Sequence, residues 1–241
     1  MKVYFFATCL GNIAYSSACV NAIKLLQHAG MEVIFKKDQT CCGQPSYNSG
    51  YFEESRRVAL YNVELFSGDH PIVLPSGSCA GMMKHDYLEL FEGHHEYERV
   101  KQFCSRVYEV SEFLDQKTEL ELKDKGEPIK ITWHSNCHAL RVAQCIPSAK
   151  KFLHQLENVT LIELEREEEC CGFGGTFSVK EPEISNAMVQ EKVADIQARQ
   201  VDCLVAGDGG CLMNISGKMQ KMGLNIKTMH LYDFLAQRAG I

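Results

Sequence analysis

A duplication constrains this chain more than any other feature. The motifs "KVYFFATC" (2–9), "QTCCGQP" (39–45), "PSGSC" (75–79) and "VSEFL" (110–114) recur in the same order as "IKITWHSNC" (129–137), "EECCGFG" (168–174), "GDGGC" (207–211) and "LYDFL" (231–235). Cys9 precedes Cys41 by 32 residues and Cys137 precedes Cys170 by 33; Cys42 precedes Cys79 by 37 and Cys171 precedes Cys211 by 40. Landmarks matched twice at nearly equal spacing mean that whatever one half folds into, the other folds into as well. With 241 residues to share, each half is the size of one small domain.

The repeat also decides how to read the N-terminus. "MKVYFFATCLGNIAYSSAC" imitates a signal peptide, but Thr8, Gly11 and Asn12 interrupt its apolar run and its counterpart lies in mid-chain. Residues 2–8 are therefore expected to form a strand. After it, "YSSACVNAIKLLQHAG" has the period of an amphipathic helix stopped at Gly30, and "MEVIF" reads as a second strand. "FEESRRVALYNVELFSG" reads as a second helix stopped at Gly68, and "PIVLP" as a third strand. The second half follows with "PIKITWH", "IPSAKKFLHQLEN", "VTLIEL", "EISNAMVQEKVADIQARQ" and "VDCLVAG". Repeated βαβ units imply parallel sheets. The fold class is α/β, as two tandem pseudo-repeated Rossmann-like domains. The charged segment "DQKTELELKDKGEP" (115–128) predicts a linker with room for a short helix, which puts the domains at 1–120 and 127–241.

Parallel strands end on one edge, and open α/β sheets bind ligands beyond those carboxyl ends. Cys9 follows strand one, Cys41 and Cys42 lie past strand two, and Cys79 follows strand three. Residues far apart in sequence thus converge, and the same logic gathers Cys137, Cys170, Cys171 and Cys211. Cys79 and Cys211 are expected just before helices, whose N-termini favour thiolates. Cys19, Cys104, Cys145 and Cys203 have no counterpart in the repeat and read as inert core thiols.

Twelve cysteines without a secretion signal favour metal or redox chemistry over disulfides. Four thiolates would repel one another unless a soft cation or cluster shared their charge. They suit a tetrahedral zinc or one thiolate per iron of a four-iron cluster. Zinc knuckles usually space two cysteines by two residues; an adjacent pair points its sulfurs apart, which suits a wider target.

The net charge of −6 and the lack of a basic stripe exclude a nucleic-acid surface. No apolar run is long enough to span a bilayer. The acidic run "ELEREEEC" (163–170) reads as a solvated face that would repel anions from the site beside Cys170.

A lone cysteine, then Cys-Cys-Gly, then a further cysteine resembles the CCG cysteine-rich domain family. That domain occurs twice in the cysteine-rich chain of heterodisulfide reductase, in the glycolate oxidase iron–sulfur subunit and in the lactate-utilisation protein A group, and "CCGQPSYNSGY", "PSGSC" and "CCGFGGTFSVK" are most similar to the last. The resemblance implies an iron–sulfur electron-transfer oxidoreductase subunit in the bacterial cytoplasm. It would act with two partner proteins, one of them also iron–sulfur, in oxidising L-lactate to pyruvate, and would meet the hydroxy acid only indirectly. Its cluster ligands would be Cys9, Cys41, Cys42 and Cys79 in one half and Cys137, Cys170, Cys171 and Cys211 in the other, with up to one 4Fe-4S cluster per half.

Fuller family members end each motif in Cys-x-x-Cys, whereas Met82 and Asn214 stand at the fifth-cysteine positions here. That speaks against the five-cysteine clusters and direct disulfide cleavage of the heterodisulfide reductase relatives. It leaves an ordinary four-cysteine cluster in each half, or a cluster in one half and zinc or nothing in the other. A zinc-stabilised interaction module and a thiol–disulfide enzyme using the adjacent cysteines are the alternatives from other classes.

His134, His138 and His85 lie near motif cysteines, but neither placement repeats between the halves, so they read as surface histidines or neighbours of the site rather than ligands. His230, after the strand "LNIKTM", is a candidate for substrate or proton handling. Gly43 and Gly172 are expected to take positive φ. "CCGFGG" fails the dinucleotide fingerprint, whose third glycine falls on Phe177.

Overall fold

A computed structural model describes residues 1–241. Two four-stranded sheets, parallel throughout, form the frame. The first contains β1 (Lys2–Phe5), β2 (Glu32–Phe35), β3 (Ile72–Leu74) and β4 (Val107–Glu109), in the order β2-β1-β3-β4. The second contains β5 (Ile129–His134), β6 (Val159–Leu161), β7 (Cys203–Ala206) and β8 (Lys227–His230), in the order β6-β5-β7-β8. The two-fold repeat of the sequence is therefore a repeat of topology.

The central strands are apolar runs because helices cover both faces of the sheet. Val3 through Phe5, all of β3 and all of β7 are buried, whereas the edge strand β2 is half-exposed. The expected helices form at Ser16–His28, Phe52–Leu65, Ile146–His154 and Pro182–Ala198. Ser16–His28 buries Ala18, Cys19, Ala22, Leu25 and Leu26, the stripe its period requires, and Gly30 follows at φ +81°.

One local expectation needs correction, and contacts elsewhere in the chain hold two further segments. The first strand stops at Phe5, because Thr8 takes φ +61° and caps the helix Cys9–Ile13. β4 carries no strong sequence signal, having three residues and ending on a glutamate; it forms because Ile72 N–H donates to Arg106 O and the Arg106 guanidinium donates to His70 O and Phe66 O. In the 115–128 segment, helix Val110–Lys117 reaches in to Lys117 and residues 118–128 hold neither helix nor strand. That stretch is still anchored: Asp124 binds the Arg238 guanidinium at 2.6 Å, and Lys125 N–H donates to Arg238 O.

The halves interlock reciprocally. Helix Leu231–Ala239, which ends the second half, packs on Ser16–His28, the first long helix of the first half. Helix Val110–Lys117, which follows β4, packs on Ile146–His154, the corresponding helix of the second. Asp233 accepts from Asn21 at 2.8 Å and Asp115 from Ser148 at 2.8 Å, so each contact carries a polar tie. One apolar core runs through the junction, joining Phe113 and Leu114 to Trp133, Tyr232 and Phe234. The carboxyl ends of the two sheets are thereby turned toward each other.

Candidate metal centre

The adjacent cysteines of each repeat face different partners. Cys41 Sγ lies 3.7 Å from Cys9 Sγ, and Cys42 Sγ lies 3.4 Å from Cys79 Sγ. Cys170 pairs with Cys137, and Cys171 with Cys211, in the second half. In each set two sulfurs are buried, Cys42 and Cys79 or Cys171 and Cys211, while the other two are partly exposed.

The glycine after each pair makes this geometry possible. Gly43 and Gly172 have φ +89° and +79°, and their amides donate to Cys41 Sγ and Cys170 Sγ at 3.4 Å each. Their carbonyls accept from Ser55 Oγ and Ser185 Oγ at 3.1 and 2.8 Å. The cysteine carbonyls are also held: Asn62 Nδ2 donates to Cys41 O, Tyr87 OH to Cys42 O and Asn214 Nδ2 to Cys171 O. Ser55 and Ser185 occupy matching places in the two halves, so comparing the repeats beyond the cysteines would have found them. The fifth-cysteine positions have other uses, since Met82 packs in the core and Asn214 secures the backbone.

Cys79 and Cys211 were expected just before helices and instead lie in the first turns of Gly77–Gly81 and Gly209–Lys221. Ser76 and Asp208 cap those helices. Asp208 Oδ2 also accepts from Ser76 Oγ at 2.9 Å and Ser78 N–H at 3.3 Å, which presses the two cysteine-bearing turns together. The Cys-Cys-Gly loops meet too, through Ser49 Oγ and Thr176 Oγ1 at 2.6 Å. As a result all eight motif cysteines line one cavity of about 120 Å³ between the halves. Bulk water occupies ~30 Å³ per molecule, so this volume corresponds to roughly four waters.

Within each set the thiols share protons. Cys41 is driven down to about 3 by hydrogen bonds from Cys42 and Cys9, and Cys170 to about 2 by those from Cys137 and Cys171. Cys42, Cys9, Cys171 and Cys137 are pushed up in turn, by giving those protons and by burial. Cys211 is lowered to about 7, first by its hydrogen bond from Cys171. Such a set is a soft, partly anionic donor cage, and a soft cation or iron–sulfur cluster can replace the shared protons. The residues fit such a group.

A cysteine-rich domain profile, CCG, matches residues 3–84 and again 131–216. The chain belongs to the CCG cysteine-rich domain family. Its CCG repeats thus cover both cysteine sets. Over 236 residues the chain is 42% identical to "Lactate utilization protein A" of Halalkalibacterium halodurans, covering 98% of this chain and 96% of that one. It is 39% identical over 238 residues to the protein of the same name from Oceanobacillus iheyensis, again covering 98% and 96%. Among solved structures, a hypothetical protein from Helicobacter pylori shares the fold at a TM-score of 0.66 and 13% identity. That match covers all of this CCG chain and 49% of the other, so the chain spans about half its length.

The remaining sequence candidates separate clearly. Cys104, Cys145 and Cys203 are buried away from the cavity; Cys19 reaches its wall but donates to Ala7 O at 3.2 Å. Burial pushes all four thiols up, to about 12 for Cys19 and Cys104 and about 11 for Cys203. His85 is exposed, and His138 is tied to Asp86 across the halves at 2.6 Å. His230 lines the cavity, is held neutral by burial that lowers it to about 4, and receives Tyr232 N–H. His134 is no surface residue: it is wholly buried beside Cys171 and Cys211. Four glutamates of the acidic run are ion-paired, Glu163 and Glu167 sharing Lys150, Glu165 on Arg199 and Glu169 on Arg166. No helix is long and apolar enough to cross a membrane.

Proposed function

We propose that this chain is an iron–sulfur electron-transfer subunit of a multi-protein system that oxidises L-lactate to pyruvate. The carrying observation is the convergence of all eight motif cysteines on one cavity between the two CCG repeats. Relatives named for lactate utilisation, matched over nearly their whole length, supply the pathway. When bound, such clusters accept and release single electrons.

The chain's own contribution is to hold and shield that group. Cys9, Cys41, Cys42 and Cys79 would bind it in one half and Cys137, Cys170, Cys171 and Cys211 in the other. Gly43 and Gly172 orient the sulfurs by amide donation, and these N–H···S bonds are of the kind that tune cluster potential. The buried inner pairs keep water from one side, while the partly exposed outer pairs face the route by which electrons leave for a partner. The substrate would be held by that partner, itself an iron–sulfur protein, with both in the cytoplasm.

Anaerobically purified protein should be brown, with broad absorbance near ~400 nm that dithionite bleaches. Iron and sulfide analysis of the copurified complex then gives the number of clusters. Colourless, iron-free protein after anaerobic reconstitution would overturn the reading. A zinc reading has one specific support, the grouping of His134, Cys171 and Cys211 within 4.8 Å, a nitrogen and sulfur set that zinc accepts. Stoichiometric zinc without sulfide would favour it.

A further inference from the structure

His134 gives the second half a donor that the first half lacks. It closes β5, is wholly buried, and neither ring nitrogen has a hydrogen-bond partner. A ring nitrogen, Cys171 Sγ and Cys211 Sγ all lie within 4.8 Å of one another. A neutral imidazole has one N–H and one lone pair, and native interiors rarely leave both unused.

The repeat supplies an internal control. Three residues before the lone cysteine, where the second half has His134, the first half has Phe6, also wholly buried. An apolar ring thus satisfies the packing at this place, so packing alone does not call for an imidazole. The two asparagines beside the sulfurs are already committed, Asn136 donating to Cys211 Sγ at 3.4 Å and accepting from Ala139 N–H, and Asn214 donating to Cys171 O, while Thr132 Oγ1 on the same strand as His134 is buried without a partner. The two sulfurs stand within 4.8 Å of a His134 ring nitrogen and are the metal-ligating atoms grouped with it. Imidazole and thiolate together are a recurrent donor set for zinc and iron.

We propose that His134 is a nitrogen ligand of the second-half metal centre, beside Cys171 and Cys211, so that the two halves hold centres of unequal chemistry. The assignment rests on reading the cysteine sets as metal-binding, but not on which metal they hold.

The test uses the full chain carrying 15N-histidine, reconstituted anaerobically with iron and sulfide, and separately loaded with zinc. With iron, pulsed EPR of the reduced protein should show one directly bound histidine nitrogen. His134→Phe, which copies the first half, should abolish that coupling while losing no more than half of the iron. His134→Gln is the second variant, for use if the phenylalanine protein does not fold, and should lose the coupling as well. A nitrogen signal that survives both substitutions, or none in the wild type, overturns the assignment. If the chain takes up zinc and no iron, X-ray absorption reads the same ligand. A shell of sulfurs with one nitrogen that turns all-sulfur in the variants upholds His134 while the iron–sulfur reading falls. A wild-type shell of sulfur alone overturns His134, and failure to bind either metal overturns both.

Discussion

Asp208 accepts a hydrogen bond from Ser76, with Oδ2 and Oγ 2.9 Å apart, and the two residues hold the same place in the two repeats. Each caps the helix that carries the last cysteine of its set. The contact therefore clasps one cysteine site to the other at the wall of the shared cavity.

Replacing Asp208 should loosen that clasp. Asp208→Ala removes the acceptor of Ser76 Oγ and Ser78 N–H together with the cap on Gly210 N–H. A lost cap and a lost charge-assisted hydrogen bond together predict about 2 to 4 kcal/mol of destabilisation. Urea unfolding should show a lower midpoint with unchanged slope. Asp208→Asn keeps an acceptor and should lose less than half as much.

Two glycine substitutions should have opposite signs. At Gly172 an added Cβ would lie 2.7 Å from Ser185 O, with φ at +79°, so Gly172→Ala should destabilise by about 1 to 3 kcal/mol and weaken metal retention. Gly217 lies inside helix Gly209–Lys221 with nothing within 4 Å of an added Cβ. Gly217→Ala should therefore stabilise by about 0.5 to 1 kcal/mol. A midpoint shift of the same sign for both in thermal unfolding would contradict this account.

Cysteine identity should matter by position. Cys41→Ser and Cys170→Ser each remove the thiolate on which two neighbours converge, and each should lower bound metal by about half. Cys203→Ala lies in β7 with its side chain in the core and should keep full metal content at a stability cost of about 1 kcal/mol. Equal metal content in all three variants would remove the cysteine sets from consideration as ligands.

Glu109 should make stability depend on pH. Burial pushes its carboxyl up to about 7, against the hydrogen bonds it accepts from Ser111 and Tyr232. An acid whose pKa is higher in the folded state binds its proton more tightly there, so the folded state gains at low pH. That gain is complete below the ordinary value of 4.5, falls as pH rises, and is gone above about 7. It amounts to roughly 3 kcal/mol across the window. Glu109→Gln should flatten this part of the urea-midpoint profile between pH 5 and 8, at constant metal loading. A profile that keeps the wild-type slope would refute it.

How far the site is legible from sequence differs from residue to residue. The lone cysteines, the adjacent pairs and the glycines after them follow from the repeat and from strand order, since parallel strands deliver their C-terminal residues to one edge. The burial of His134 escapes a sequence reading because its surroundings are set by Cys171 and Cys211, far along the chain, and no neighbour in sequence announces it. β4 escapes for the same reason, since the Arg106 guanidinium beside it is held by Phe66 O and His70 O in the loop before β3, far back along the chain.

The sequence by itself determined two like α/β halves, their parallel strands and the grouping of four cysteines in each. Apolar period, glycine placement and duplication are local signals, and they survive without knowledge of the whole. Only the tertiary structure decided that the two groups wall a single cavity. That outcome depends on surfaces matching across the halves: Gly77 leaves room for Ala139, and Gly81 for the His138 ring, where an added Cβ would lie 2.3 and 2.5 Å away. Such fits join residues more than fifty positions apart, and their complementarity exists only once both halves have folded and docked.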